Sequence, residues 1–76
     1  MQDDKVFYGS VIWFSRGMGF IKPDDSSCNS GADVFVHFSD LEMEGYRTLN
    51  KDARVQFSIG LNNRGQNKAI AVKTLP

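Results

Sequence analysis

Little in this chain of 76 residues could hold it together from outside its own core. It has one cysteine, Cys28, so no disulfide can form within the chain. Its one histidine, His37, and that lone thiol do not make a metal-ligand set. No apolar run approaches the length of about 18 residues that a membrane span needs. The start Met1-Gln2-Asp3-Asp4 lacks the basic and apolar regions of a signal peptide, so the cytoplasm is the expected compartment. Neither sign of charge is in excess, with nine Lys and Arg against nine Asp and Glu. A neutral balance counts mildly against a nucleic-acid partner, because phosphate contacts supply much of that affinity. Charge summed over a chain, however, says little about the field over one face. No glycine-rich phosphate loop is present, and no pair of carboxylates stands beside the histidine. An enzyme is therefore not expected, nor any cofactor or metal. The length allows one domain, residues 1–76, with a thin core and a net stability of a few kcal/mol to about 10 kcal/mol.

What the chain does have is alternation. Five segments read as short strands: Lys5 to Phe14 with a bend or bulge at Gly9, Met18 to Lys22, Asp33 to Phe38, Ala53 to Ile59, and Asn67 to Leu75. Ser15-Arg16-Gly17 is a tight connection, and Pro23 with the acidic pair after it stops the second strand. Ser26 to Ala32 reads as a mobile loop with Cys28 exposed on it. Ser39-Asp40-Leu41-Glu42 reads as a short helical turn capped by Ser39. A loop around Asn62-Asn63-Arg64-Gly65 joins the last two strands. Five antiparallel strands in so few residues call for closure, because an open sheet would leave both edges bare. The fold class is all-β, a five-stranded antiparallel barrel. Val11, Ile21, Val34, Val36, Val55, Phe57, Ile59, Ile70 and Val72 are its expected interior, with Phe7 and Tyr8 filling space at the bottom.

The remaining rings fall on the other face. Met18 and Phe20 alternate with Gly19 and Ile21; Phe35 and His37 alternate with Val34 and Val36. If these strands are neighbours, they make a flat patch of rings beside Trp13, the kind of surface on which bases stack. Phe38 has the parity of Val34 and Val36, which argues for the core.

Gly9-Ser10-Val11-Ile12-Trp13-Phe14, Arg16-Gly17-Met18-Gly19-Phe20-Ile21, Val34-Phe35-Val36-His37-Phe38-Ser39 and Gly45-Tyr46 together resemble a cold-shock domain, a nucleic-acid-binding OB-type barrel. The resemblance runs from about Val6 to Leu75. It implies that bases of single-stranded RNA or DNA stack on Trp13, Phe20, Phe35, His37 and Phe38, with Phe14 and Tyr46 at the rim. Met18 would add an apolar contact, and Arg16, Lys22, Arg64 and Lys68 would hold phosphates or base edges. It further implies RNA-chaperone or transcription and translation regulatory activity, and some preference for pyrimidine-rich strands. The chain departs from the family pattern at Met18, where an aromatic is usual, and at Ile12, where a lysine is usual. Its first hairpin is shorter than usual and the loop through Ser26 to Ala32 is longer. A monomer is the first expectation. If the short hairpin is strained, the first strands would exchange with a second copy. The alternative function is a protein-interaction barrel whose aromatic face docks a peptide or subunit.

Overall fold

The computed structural model describes residues 5–76. Five strands form: β1 (Phe7–Ser15), β2 (Met18–Pro23), β3 (Val34–His37), β4 (Arg54–Leu61) and β5 (Asn67–Thr74). One 3-10 turn covers Phe38–Asp40. The strands close into a barrel in the order β1-β2-β3-β5-β4. Neighbours run antiparallel except at the β3–β5 seam, which is parallel and pairs Phe35 with Lys68. A bridge between Leu41 and Val72 extends that seam.

Seven of the expected interior residues are buried: Val11, Ile21, Val34, Val36, Val55, Phe57 and Val72. Leu41, Leu49 and Ala69 join them. Ile59 and Ile70 do not belong there. Ile59 is half-buried and packs on the core from its rim. Ile70 is turned outward by an extra residue in β5: Gln56 pairs with Lys73, but Ser58 already pairs with Ile70. Ala71, at φ 51°, absorbs the difference. Ala69 and Val72, three positions apart, therefore both face inward. Tyr8 is also not interior but exposed, while Phe7 packs on Phe57 with ring centroids 6.0 Å apart.

The bulge expected at Gly9 lies instead at Ile12. Pairing is regular through Gly9, opposite Pro23, and shifts between Val11 and Trp13, which face Ile21 and Phe20. Gly9 serves close approach, since a Cβ there would lie 2.5 Å from the Lys22 carbonyl oxygen. The first hairpin closes with Ser15 opposite Met18 across only Arg16 and Gly17. Both take positive φ, 57° and 83°, which is what the type I′ hairpin loop preferred between twisted strands requires. The short connection thus turns within one chain.

The loop after β2 is a run of hydrogen-bonded turns rather than loose chain. The Cys28, Gly31 and Ala32 N–H groups donate to the carbonyls of Asp25, Ser26 and Asn29. Cys28 is half-buried against the core, and that burial pushes its thiol pKa up. The 3-10 turn begins one residue earlier than expected, and His37 caps it. The Ser39 N–H donates to His37 Nδ1 at 3.2 Å.

Candidate nucleic-acid interface

The bulge at Ile12 builds the site. Strict alternation from Gly9 and Val11, both buried, would put Trp13 inside. The extra residue reverses the parity, so Trp13 emerges 41% exposed on the outer face and Phe14 turns back against the core. Phe14 is therefore not part of the outer row; it lies beneath it, opposite Gly19. Gly19 can only be glycine there, since a Cβ would sit 2.1 Å from the Trp13 carbonyl oxygen.

Register then aligns the rings. Trp13 faces Phe20 across β1–β2, and Phe20 faces Phe35 across β2–β3. Ring centroids are 5.7 Å apart for the first pair and 5.8 Å for the second. The patch is not flat, because interplanar angles are 56° and 71°. Aromatic pairs prefer such tilted or edge-to-face contact over a face-to-face sandwich. Two register positions along, Met18 faces His37. Phe38, expected inside by parity, is 43% exposed because β3 ends at His37 and the 3-10 turn swings it out. Its ring lies 4.5 Å from that of His37. Tyr46 stands almost free of the body at 87% exposure.

Phe38 and Tyr46 share a groove of about 710 Å³ with Arg16, Met43 and Arg47. A second groove, about 640 Å³, lies at the Phe20–Phe35 end and is walled by Asn29, Asp33, Asn62, Gln66 and Asn67. Sequence reasoning missed Met43, Arg47 and these amides. The amide-rich composition after Leu61 was visible, but the approach of Asn29 from the other loop was not.

The basic residues divide. Lys22 is exposed on the Phe20 face of β2, and Arg16 sits at the hairpin tip. Holding a non-glycine residue at φ 57° costs about 1 kcal/mol, yet it sets a guanidinium at the groove of Phe38 and Tyr46. Lys68, across from Phe35, is half-buried and ion-paired to Asp40 at 3.1 Å. Arg64 is exposed on the β4–β5 turn, where its N–H donates to Asn62 Oδ1. The acidic residues near the row are partly answered. Arg54 binds the Asp24 carboxylate through both terminal nitrogens and also donates to Ser10 Oγ. These hydrogen bonds hold the Asp24 carboxyl below its ordinary range. Asp25 is lowered likewise by the Ser27 hydroxyl and N–H.

No group of three or more metal-binding side chains occurs among the described residues, and none of their helices is long and apolar enough to cross a membrane. The 'Cold-shock' DNA-binding domain family model matches residues 7–75. The chain is 49% identical over 59 residues to a "Cold shock protein" of Arthrobacter globiformis, covering 75% of this chain and 82% of that one. It is 46% identical over 61 residues to a "Cold shock-like protein" of Aquifex aeolicus, covering 78% and 81%. A solved structure, Drosophila Unr CSD456, superposes with a TM-score of 0.73 at 22% identity, over 95% of this chain and 27% of the longer one. That likeness speaks for the fold.

Proposed function

Because the chain belongs to the 'Cold-shock' DNA-binding domain family, we propose that it binds unpaired RNA or DNA through the row Trp13–Phe20–Phe35. Met18, His37, Phe38 and Tyr46 extend the row, and Arg16, Lys22, Arg64 and Lys68 hold the backbone. The observation that carries this reading is the run of three solvent-facing rings on adjacent strands, with neighbouring centroids under 6 Å apart. A hydrophobic core does not need such a row, and a chain this short gives up stability to leave rings in water. Every base has a π-face, so broad base tolerance follows, with pyrimidine-rich strands preferred. Binding the open form draws a folded transcript toward unpaired strands by linkage, with no chemical step and no cofactor. That is RNA-chaperone or regulatory action by equilibrium, carried out in the cytoplasm by a non-enzyme.

Titration with dT and dA heptamers, watching Trp13 fluorescence, tests this directly. Stacking should quench the indole and saturate. No change at about 0.1 mM oligonucleotide in low salt, the weak end of non-specific binding, would overturn the reading. Affinity should also fall with salt, by about 0.7 in the log–log slope for each phosphate neutralised. An apolar docking contact with a peptide would not show this slope.

Ile12 offers a graded version of the same test. It lies at the bulge beside Trp13 and is only half-buried. Ile12→Lys should tighten heptamer binding in low salt and steepen the salt slope by about 0.7. An unchanged slope would place the backbone elsewhere.

A further inference from the structure

The rung that carries the three rings continues into a cation. Trp13 faces Phe20, Phe20 faces Phe35, and Phe35 faces Lys68 across the parallel seam. Ala69, next in β5, is buried, so the Lys68 side chain leaves the outer face beside Phe35. An ammonium in that place suits the phosphate next to a base stacked on Phe35.

The ammonium already has an anion. It lies 3.1 Å from Asp40 Oδ2, at the end of the 3-10 turn, and the two side chains are only 26% and 19% exposed. Asp40 Oδ2 is closed to solvent and accepts no hydrogen bond among the described residues, so the ammonium answers it by charge. The fold does not depend on this pair to hold the turn. Leu41 bridges Val72, and the Glu42 N–H donates to the Val72 carbonyl at 2.8 Å. Backbone contacts thus fix the turn that carries Phe38. What the Asp40 carboxylate does is occupy Lys68.

Resting on the single-strand reading above, we propose that Asp40 is a built-in competitor for the strand: its carboxylate holds the place on Lys68 that a backbone phosphate takes, and the phosphate gains that contact only by displacing it. One anion replaces another on the same cation, so the contact adds less affinity than a free lysine would. A polyanion that offers no unpaired base to Phe35 has the ion pair to break and no stacking there to offset it. Asp40 thereby makes this end of the row respond to stacked bases more than to charge.

The test uses a dT heptamer and its methylphosphonate-linked counterpart, whose linkages carry no charge. Asp40→Asn should tighten the phosphodiester heptamer about fivefold in low salt, the upper scale for a partly exposed ion pair. The log–log salt slope should steepen by about 0.7, one phosphate newly neutralised without a carboxylate being released. Affinity for the uncharged heptamer should not change. Adding Lys68→Met to Asp40→Asn should cancel both gains. Glu42→Gln removes an equal charge two residues on, from an exposed pair with Lys73 at 3.7 Å, at the other end of β5; it should produce neither gain. Asp40→Ala should repeat the Asp40→Asn result and answers for the site if the amide variant fails to fold. No gain in either Asp40 variant, an equal gain in Glu42→Gln, or a gain that persists with Lys68→Met or on the uncharged backbone would overturn the role of Asp40 alone. Failure of the native chain to bind either heptamer would take down the single-strand reading and this proposal together.

Discussion

Replacing Phe20 by alanine is expected to weaken binding of a dT heptamer by about 5- to 150-fold, the equivalent of about 1–3 kcal/mol for one lost base stack. Phe20 is the ring to remove because it is the only member of the row that touches both others. Its loss withdraws one stacking face and also the edge contacts that orient Trp13 and Phe35. The fold should tolerate the change. Phe20 faces outward between two buried neighbours in β2, Gly19 and Ile21, so no interior cavity opens. The comparison to make is therefore heptamer affinity against midpoint of urea unfolding for the same variant. A large loss of affinity with a nearly constant midpoint supports the row as a ligand surface. The reverse outcome, a collapsed midpoint with affinity retained in the folded fraction, would mean that the rings serve packing.

Phe57→Ala should show that reverse pattern. Phe57 is the largest fully buried side chain, 1% exposed, on the inner face of β4. Truncating a buried phenylalanine costs about 3–5 kcal/mol, from lost transfer energy and from the cavity left behind. The barrel has few residues able to collapse into that space, and its total stability is on the order of 5–10 kcal/mol. Much of the folding free energy should thus disappear, with a fall in melting temperature of well over about 10 °C for a domain of this size. Affinity measured where the variant is still folded should stay close to the native value, because Phe57 reaches no part of the ring row. A loss below about 1 kcal/mol would mean that Phe7, already against Phe57, moves in to fill the gap.

These two residues also show what the sequence reveals. Phe57 and Phe20 are placed correctly by alternation, since the register slips beside them put the extra residue in the partner strand, β5 and β1, and leave β4 and β2 regular. Alternation fails in a strand that carries an extra residue and beyond a strand's end. It would bury Trp13, and the bulge at Ile12 turns it out. It would bury Phe38, and the end of β3 turns it out. It buries Ile70 on paper, and the bulge at Ala71 leaves Ala69 and Val72 inside instead. A bulge has no residue signature strong enough to be read from one chain. Its position is settled by which register buries the most apolar surface across two strands. Trp13 and Phe38 are placed on the outer face by the family resemblance rather than by period. The ends of the ring row were harder still. Asn29 and Asn67 meet only because the barrel closes, and Lys68 has an ion-pair partner, Asp40, that no local pattern announces.

The first strand pairs with the fourth as well as the second, and the fifth closes the seam beside Phe35. Trp13, Phe20 and Phe35 leave the ribosome before β4 and β5, the strands that complete the barrel beneath them. A nascent chain halted between the two would display every ring with nothing to hold them in line. Alignment of the ring row therefore waits on β5, a strand translated more than 30 residues after Phe35.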